Sequence, residues 1–142
     1  KSSALKYISY SPRSIKQTRD KLYSLDYEEN IIDTIIEELK GYKYLNDKEY
    51  ARSFIRNAIL HKRHGTDKIV FQLNNAGVSS DIAYEILDEY KDKEYLQAKY
   101  LYEKRAKGRI IKDPKERAKI TRYLQGRGYK YQMINEIFNE YS

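Results

Sequence analysis

Leu22-Tyr-Ser-Leu-Asp-Tyr27, Leu73-Asn-Asn-Ala-Gly-Val78 and Leu124-Gln-Gly-Arg-Gly-Tyr129 decide the fold, because they are one motif written three times at a spacing of 51 residues. Each is followed by the same apolar ladder. The ladders are Ile31, Ile32, Ile35, Ile36 and Leu39; then Ile82, Ala83, Ile86, Leu87 and Tyr90; then Met133, Ile134, Ile137, Phe138 and Tyr141. The steps i, i+1, i+4, i+5, i+8 make the wide stripe of a helix lying on a core, not the alternation of a strand. Upstream, a second set repeats at 47 residues: Ala4, Tyr7 and Ile8; Ala51, Phe54 and Ile55; Ala98, Leu101 and Tyr102. The unequal offsets place a tolerant change of length between the first and second segments of each copy.

Local punctuation agrees. Ser11-Pro12 and Asp113-Pro114 predict an N-cap followed by Pro at the first helical position. Asn46 with Glu49 resembles a capping box, and Ser79 and Ser80 are placed to cap the helix that follows them. Gly65, Gly77, Gly108 and Gly128 stand where helices should stop, at the left-handed position that Gly fills most cheaply. The spacing predicts helices near 3–10, 12–25, 28–40, 47–63, 67–76, 80–91, 93–107, 114–126 and 130–141. The expected fold is all-α: three tandem three-helix repeats, residues 1–44, 45–91 and 92–142, stacked into an elongated, curved array. A unit of that size is marginal alone, so neighbours should share burial.

Composition narrows the function. The 142 residues include no Cys, which excludes disulfides and thiolate metal sites and suits a reducing cytoplasm. No apolar run approaches the ~20 residues that span a bilayer, so the expected location is cytoplasmic, with no membrane partner. The opening Lys-Ser-Ser-Ala lacks the apolar core of a signal peptide, and without an initiator Met the chain reads as a fragment or a processed form. Sixteen Tyr and no Trp suit a thin core, in which the ring packs and the hydroxyl stays wet.

The net charge of +7 points to a polyanionic partner. Its distribution follows the repeat: residues 1–22 carry +5, residues 23–44 carry −4, and residues 98–132 carry +9. Stacked units would then line up a basic stripe and an acidic one. Arg52, Arg56 and Arg63 in the second copy, and Lys104, Arg105, Arg109, Arg122 and Arg127 in the third, are the candidate contacts to a protein partner or to nucleic acid. Tyr100, Tyr102, Tyr123 and Tyr129 lie among them and could stack on unpaired bases, although their helical spacing first suggests core.

Signals for chemistry are weak. His61 and His64 sit in His-Lys-Arg-His among cationic neighbours, so a solvated basic helix end is expected and not a metal site. Gly126-Arg-Gly128 is too short for a phosphate loop. Pairs such as Glu37-Glu38 and Asp88-Glu89 read as the solvated faces of amphipathic helices. With no nucleophile motif and no nucleotide-binding motif, the chain is read as a binding protein without cofactor or metal, not as an enzyme.

Three stretches carry a family resemblance. Leu45-Asn-Asp47-Lys-Glu-Tyr50-Ala51 is similar to a Leu-Asp/Asn-Asp-x-x-aromatic-Ala motif, Leu124-Gln-Gly-Arg127-Gly128-Tyr129 to a Leu-x-x-Arg-Gly-aromatic turn, and Ala4 to Ser14 to an opening helix and turn. In their order the chain resembles the RecX family, regulators of the RecA recombinase, over nearly its whole length. It departs in the longer, more basic stretch 104–119 of the third copy. The chain is expected to be a monomer, and the resemblance implies that it docks in the groove of the RecA–single-stranded DNA filament, touches more than one RecA subunit and inhibits, reaching the DNA directly or through RecA. The competing expectation is a non-specific nucleic-acid-binding helical module, which the acidic third helices argue against.

Overall fold

Each apolar stripe becomes a helix. The computed structural model describes all 142 residues and contains nine α-helices and no strand. They are α1 (Ser2–Tyr10), α2 (Ile15–Ser24), α3 (Glu29–Gly41), α4 (Asp47–Leu60), α5 (Thr66–Asn75), α6 (Ser80–Glu89), α7 (Lys91–Ala106), α8 (Pro114–Gly126) and α9 (Tyr131–Glu140). The tandem three-helix arrangement is as expected. Each trio closes on its own hydrophobic cluster: one around Ala4, Leu22, Ile32 and Leu39, one around Ala51, Leu73, Ala83 and Ile86, and one around Ala98, Leu124, Ile134 and Ile137. Leu22, Leu73 and Leu124, the first residues of the repeated motif, are wholly enclosed. Burial of each contributes about 1.5–3 kcal/mol. The accessible surface is 8929 Å². A compact monomer of 17.0 kDa would expose about 7,700 Å², and the excess is what an extended row of small cores produces.

Two local expectations need correction. The first concerns Ser11-Pro12: α2 starts three residues later, capped by Ser14, which accepts from the Gln17 amide while the Gln17 side chain accepts from Ser14 N–H. That reciprocal pair outcompetes the single Pro signal. The second concerns Gly65, which has φ −99° and is the N-cap of α5, not a left-handed stop. Its lack of a side chain serves proximity: a Cβ there would lie 2.4 Å from the Tyr129 nitrogen and 2.6 Å from the Gly128 oxygen. Asp113 before Pro114 and Ser79 cap α8 and α6 as read, and Asn46 caps α4 by accepting from the Lys48 and Glu49 amides, without the return bond that a capping box requires of Glu49.

The units meet through one joint used twice. At the first joint, Ile15 N–H donates to Asp47 Oδ1 at 2.8 Å, and the Ser14 hydroxyl donates to the Ala76 carbonyl at 2.6 Å. At the second, Thr66 N–H donates to Glu94 Oε2 at 2.7 Å, and Gly65 N–H donates to the Arg127 carbonyl at 2.8 Å. Donors and carbonyls correspond at 51 residues and carboxylates at 47, the offsets of the sequence repeat. The sequence period is thus also the period of stacking.

Candidate functional site

The expected separation into a basic and an acidic stripe is replaced by pairing within each unit. Glu38, Glu89 and Glu140 occupy corresponding positions on the third helices, and each meets a cation of its own unit. The partners are Lys1 at 3.0 Å, Arg52 at 2.5 Å and Lys99 at 2.6 Å. Lys48 joins Glu85 at 3.1 Å in the same way. Oppositely charged blocks on adjacent helices of a small bundle lie within reach of each other, so each unit neutralises part of its own field. What remains for a partner is the set of cations that these pairs leave over.

Of the eight candidate residues, Arg52 pairs with Glu89, and Arg109 pairs with Glu116 at 2.7 Å while its Nε donates to the Ala106 carbonyl at 3.0 Å. The other six have no carboxylate within ion-pair distance. Arg56 lies exposed on α4, in a cleft of about 450 Å³ with Arg52, Asn57, His61 and Tyr90. That cleft shares Glu49 and Ser53 with a second one of about 430 Å³, lined also by Arg13, Lys43, Tyr44 and Tyr50. Together they form a trough along α4 that begins on the first unit. A fourteen-residue helix makes the trough about 20 Å long.

At the C-terminal end of α4 the structure gathers Arg63, Lys104 and Arg127. Arg63 Cζ stands 4.4 Å from the centre of the Tyr100 ring, and Lys104 Nζ stands 5.5 Å from the same ring. The ring's negative face holds both cations in place. Arg127 turns inward, where its Nε donates to the Arg63 carbonyl at 3.3 Å and its Nη2 to the Lys62 carbonyl. Its first role is therefore to cap α4 and clamp the second joint. Arg105 stacks on Tyr123 at 3.7 Å. Arg122 stands apart, in a cleft between α8 and α9 with Arg117, Tyr131 and Asn135.

Other members of this surface escaped the sequence reading. Lys68 lies against Gly128, which has φ +102° and whose Cβ, if present, would be 2.5 Å from Lys68 Cβ. Nothing in the spacing of 68 and 128 announces that contact. His64, expected to be solvated, is half-buried, with Nδ1 enclosed and unpartnered. Burial, and then the charges of Lys68, Arg127 and Lys62, hold its pKa down at about 4, so it is neutral at pH 7. Glu94, only 4% exposed, has its pKa raised by burial against the opposing pull of two bonds from Thr66. Tyr129 is enclosed as well, and its hydroxyl has no partner, unlike the wet hydroxyl expected of a thin core.

The chain's likeness to known proteins is consistent along its length. The family profile described as RecX, first three-helix domain, matches residues 1–39, and the profile described as RecX, third three-helix domain, matches residues 92–138. The chain is 32% identical over 143 residues to the regulatory protein RecX of Clostridioides difficile, covering 99% of this chain and 66% of that protein. It is 33% identical to the regulatory protein RecX of Vibrio parahaemolyticus, covering 95% of this chain and 86% of that one. It thus spans about two thirds of its clostridial relatives. The crystal structure of RecX from Lactobacillus salivarius superposes with a TM-score of 0.89 at 32% identity, covering 98% of this chain and 92% of that one.

Proposed function

The chain belongs to the RecX family of regulatory proteins, and on that footing we propose that it modulates the RecA recombinase as an inhibitor. It does so by lying in the groove of the RecA–single-stranded DNA filament with its unpaired cations turned to the filament. The observation that carries this reading is the trough along α4: Arg13, Lys43 and Arg56 line it without a carboxylate partner, beside the paired Arg52, and Lys62 and Arg63 follow in the turn after α4. A long row of shallow contacts suits a long repetitive target better than a small ligand. Each contact is weak, and their sum gives affinity by avidity. A protein that touches neighbouring subunits in one arrangement favours that arrangement, which holds the filament away from its active cycle. DNA is reached through the filament, directly or through RecA.

The non-specific nucleic-acid module has less support. A recognition helix would have to present free cations to the major groove, whereas Glu85 and Glu89 of α6 are engaged with Lys48 and Arg52. The discriminating variants are Arg56→Glu and Arg122→Glu, because both side chains are exposed and hold no joint. Cosedimentation with RecA–single-stranded DNA filaments should weaken by about tenfold for the pair, with relief of inhibition of ATP hydrolysis. Unchanged inhibition would remove these residues from the interface. Tight binding to bare DNA with no affinity for RecA would replace this reading by the second.

A further inference from the structure

Around the second joint gather five cations that have no ion-pair partner. Lys62 and Arg63 lie in the turn after α4, Lys68 in the first turn of α5, Lys104 on α7 and Arg127 at the end of α8. None of the five has a carboxylate within ion-pair distance. The fold forces them together. Arg127 donates to the Lys62 and Arg63 carbonyls, and Gly65 N–H returns a bond to the Arg127 carbonyl at 2.8 Å. Gly128 presses on Lys68. Arg63 itself is held at φ +53°, a conformation that costs a non-glycine residue about 1 kcal/mol or more.

Three polar atoms at this joint are enclosed and have no partner: Arg63 Nε, His64 Nδ1 and the Tyr129 hydroxyl. Buried groups of that kind are rare and ask for an explanation. The His64 backbone is fixed by its N–H bond to the Ala58 carbonyl at 2.9 Å, so the imidazole is held among the cations. The nearby carboxylates are already engaged: Asp67 with Lys130 at 2.6 Å, and Glu94 with Thr66.

We propose that this joint is a phosphate-binding site, with Lys62, Lys68 and Arg127 supplying the charge and His64 lying beside the bound oxyanion. The proposal rests on the polyanion-facing reading above and deepens it by naming the chemical group and the place. The group is a tetrahedral oxyanion, here the phosphodiester of a nucleic acid strand. Arg127 keeps donor capacity beyond the two carbonyls it caps, and planar guanidinium donors suit phosphate oxygens.

A proton linkage follows. In the free protein the imidazole sits near pKa 4 because it is partly desolvated and faces Lys62, Lys68 and Arg127. Around this joint also stand Arg63 and Lys104 on the Tyr100 ring, Tyr129, the Asp67–Lys130 pair and Glu94. An arriving phosphodiester offsets part of that positive charge and so favours the imidazolium. Docking therefore takes up a proton between pH 4 and about 6.5, and affinity rises as pH falls through that window.

Only two His exist in the chain, so the His64 imidazole C2 proton resolves by NMR. The full chain is titrated from pH 8 to pH 4 alone, with sodium sulfate, and with a short oligothymidylate. The expected result with the oligonucleotide is a rise in the His64 midpoint of about one pH unit or more, a tenfold linkage. The Lys62→Gln, Lys68→Gln double variant keeps the packed stems and should lose most of that shift, binding the oligonucleotide on the order of tenfold more weakly. A His64 midpoint that stays put under saturating oligonucleotide overturns the site, as does undiminished binding by the double variant. A shift with sulfate as large as the shift with the oligonucleotide overturns the assignment to a nucleic acid strand. Filament cosedimentation separates the two readings: docking with His64 silent sinks the site and spares the proposed function, and failure to dock with His64 responding does the reverse.

Discussion

At the first joint a side chain does what the backbone does at the second. Ser14 reaches the Ala76 carbonyl with its hydroxyl, whereas Gly65, the corresponding residue, reaches the Arg127 carbonyl with its own N–H. Removal of the Cβ lets the second and third units approach until Asp67 N–H also finds the Gly128 carbonyl at 2.9 Å. The carboxylates differ in the same direction. Asp47 is partly exposed and Glu94 is buried, where Glu94 takes the Thr66 amide and hydroxyl together. One plan of assembly therefore yields a looser hinge and a tighter one. The tighter one costs a buried carboxylate and a crowd of like charges, and such costs are accepted where a site is held in a fixed shape.

The comparison breaks most severely at Gly65. Gly65→Ala puts a methyl into the Gly128–Tyr129 backbone, which has no rotamer by which to yield. Urea unfolding should show a loss of about 3 kcal/mol. Ser14→Ala at the first joint removes a cap and one inter-unit bond, for about 1 kcal/mol. Equal losses would mean that the two joints do not differ in closeness of approach.

Truncating the carboxylates gives a smaller contrast. Glu94→Ala leaves the Thr66 amide and hydroxyl buried without an acceptor, which costs about 2 kcal/mol, while Asp47→Ala, at a partly solvated position, costs about half of that. The same urea series measures both, and hydrogen exchange at Thr66 and Ile15 reports which joint has opened.

Acid response should differ least. His64 binds its proton less readily folded than unfolded, so it contributes stability above its ordinary pKa of 6.5 that is lost as pH falls toward 4. Discounted for partial solvent screening, this is on the order of 1 kcal/mol. Glu94 has the opposite sign: its raised pKa favours the folded state when it is protonated, so acidification through the carboxylate range returns part of the loss. His64→Asn should flatten the stability profile between pH 6.5 and 4. At the first joint the matching residue is Arg13, with no imidazole to titrate there. A profile unchanged by His64→Asn would show that the imidazole is solvated after all.

Much of this was legible in the residues. The ladders at 51 residues and the Ala sets at 47 marked the three trios, and Leu22, Leu73 and Leu124 are enclosed as their place in the motif implied. Helix ends were harder where two signals competed. Pro12 advertises a start, but α2 uses the Ser14–Gln17 box two residues further on. The surface was legible only in outline. Charge blocks predicted that cations matter, yet they could not tell Arg52, which is paired, from Arg56, which is free, four residues away on the same helix. Nor could they show that Arg127 points into a joint.

The residues by themselves determined the nine helices, their grouping in threes and the three cores, because periodic burial and capping act over a few neighbouring positions. Tertiary structure alone decided which charges cancel, which stay free and where Lys62, His64, Lys68 and Arg127 converge. Those outcomes depend on the rotation and distance between units. That geometry is set by contacts such as Gly65 on Gly128, between residues far apart in the chain, and no local pattern encodes it.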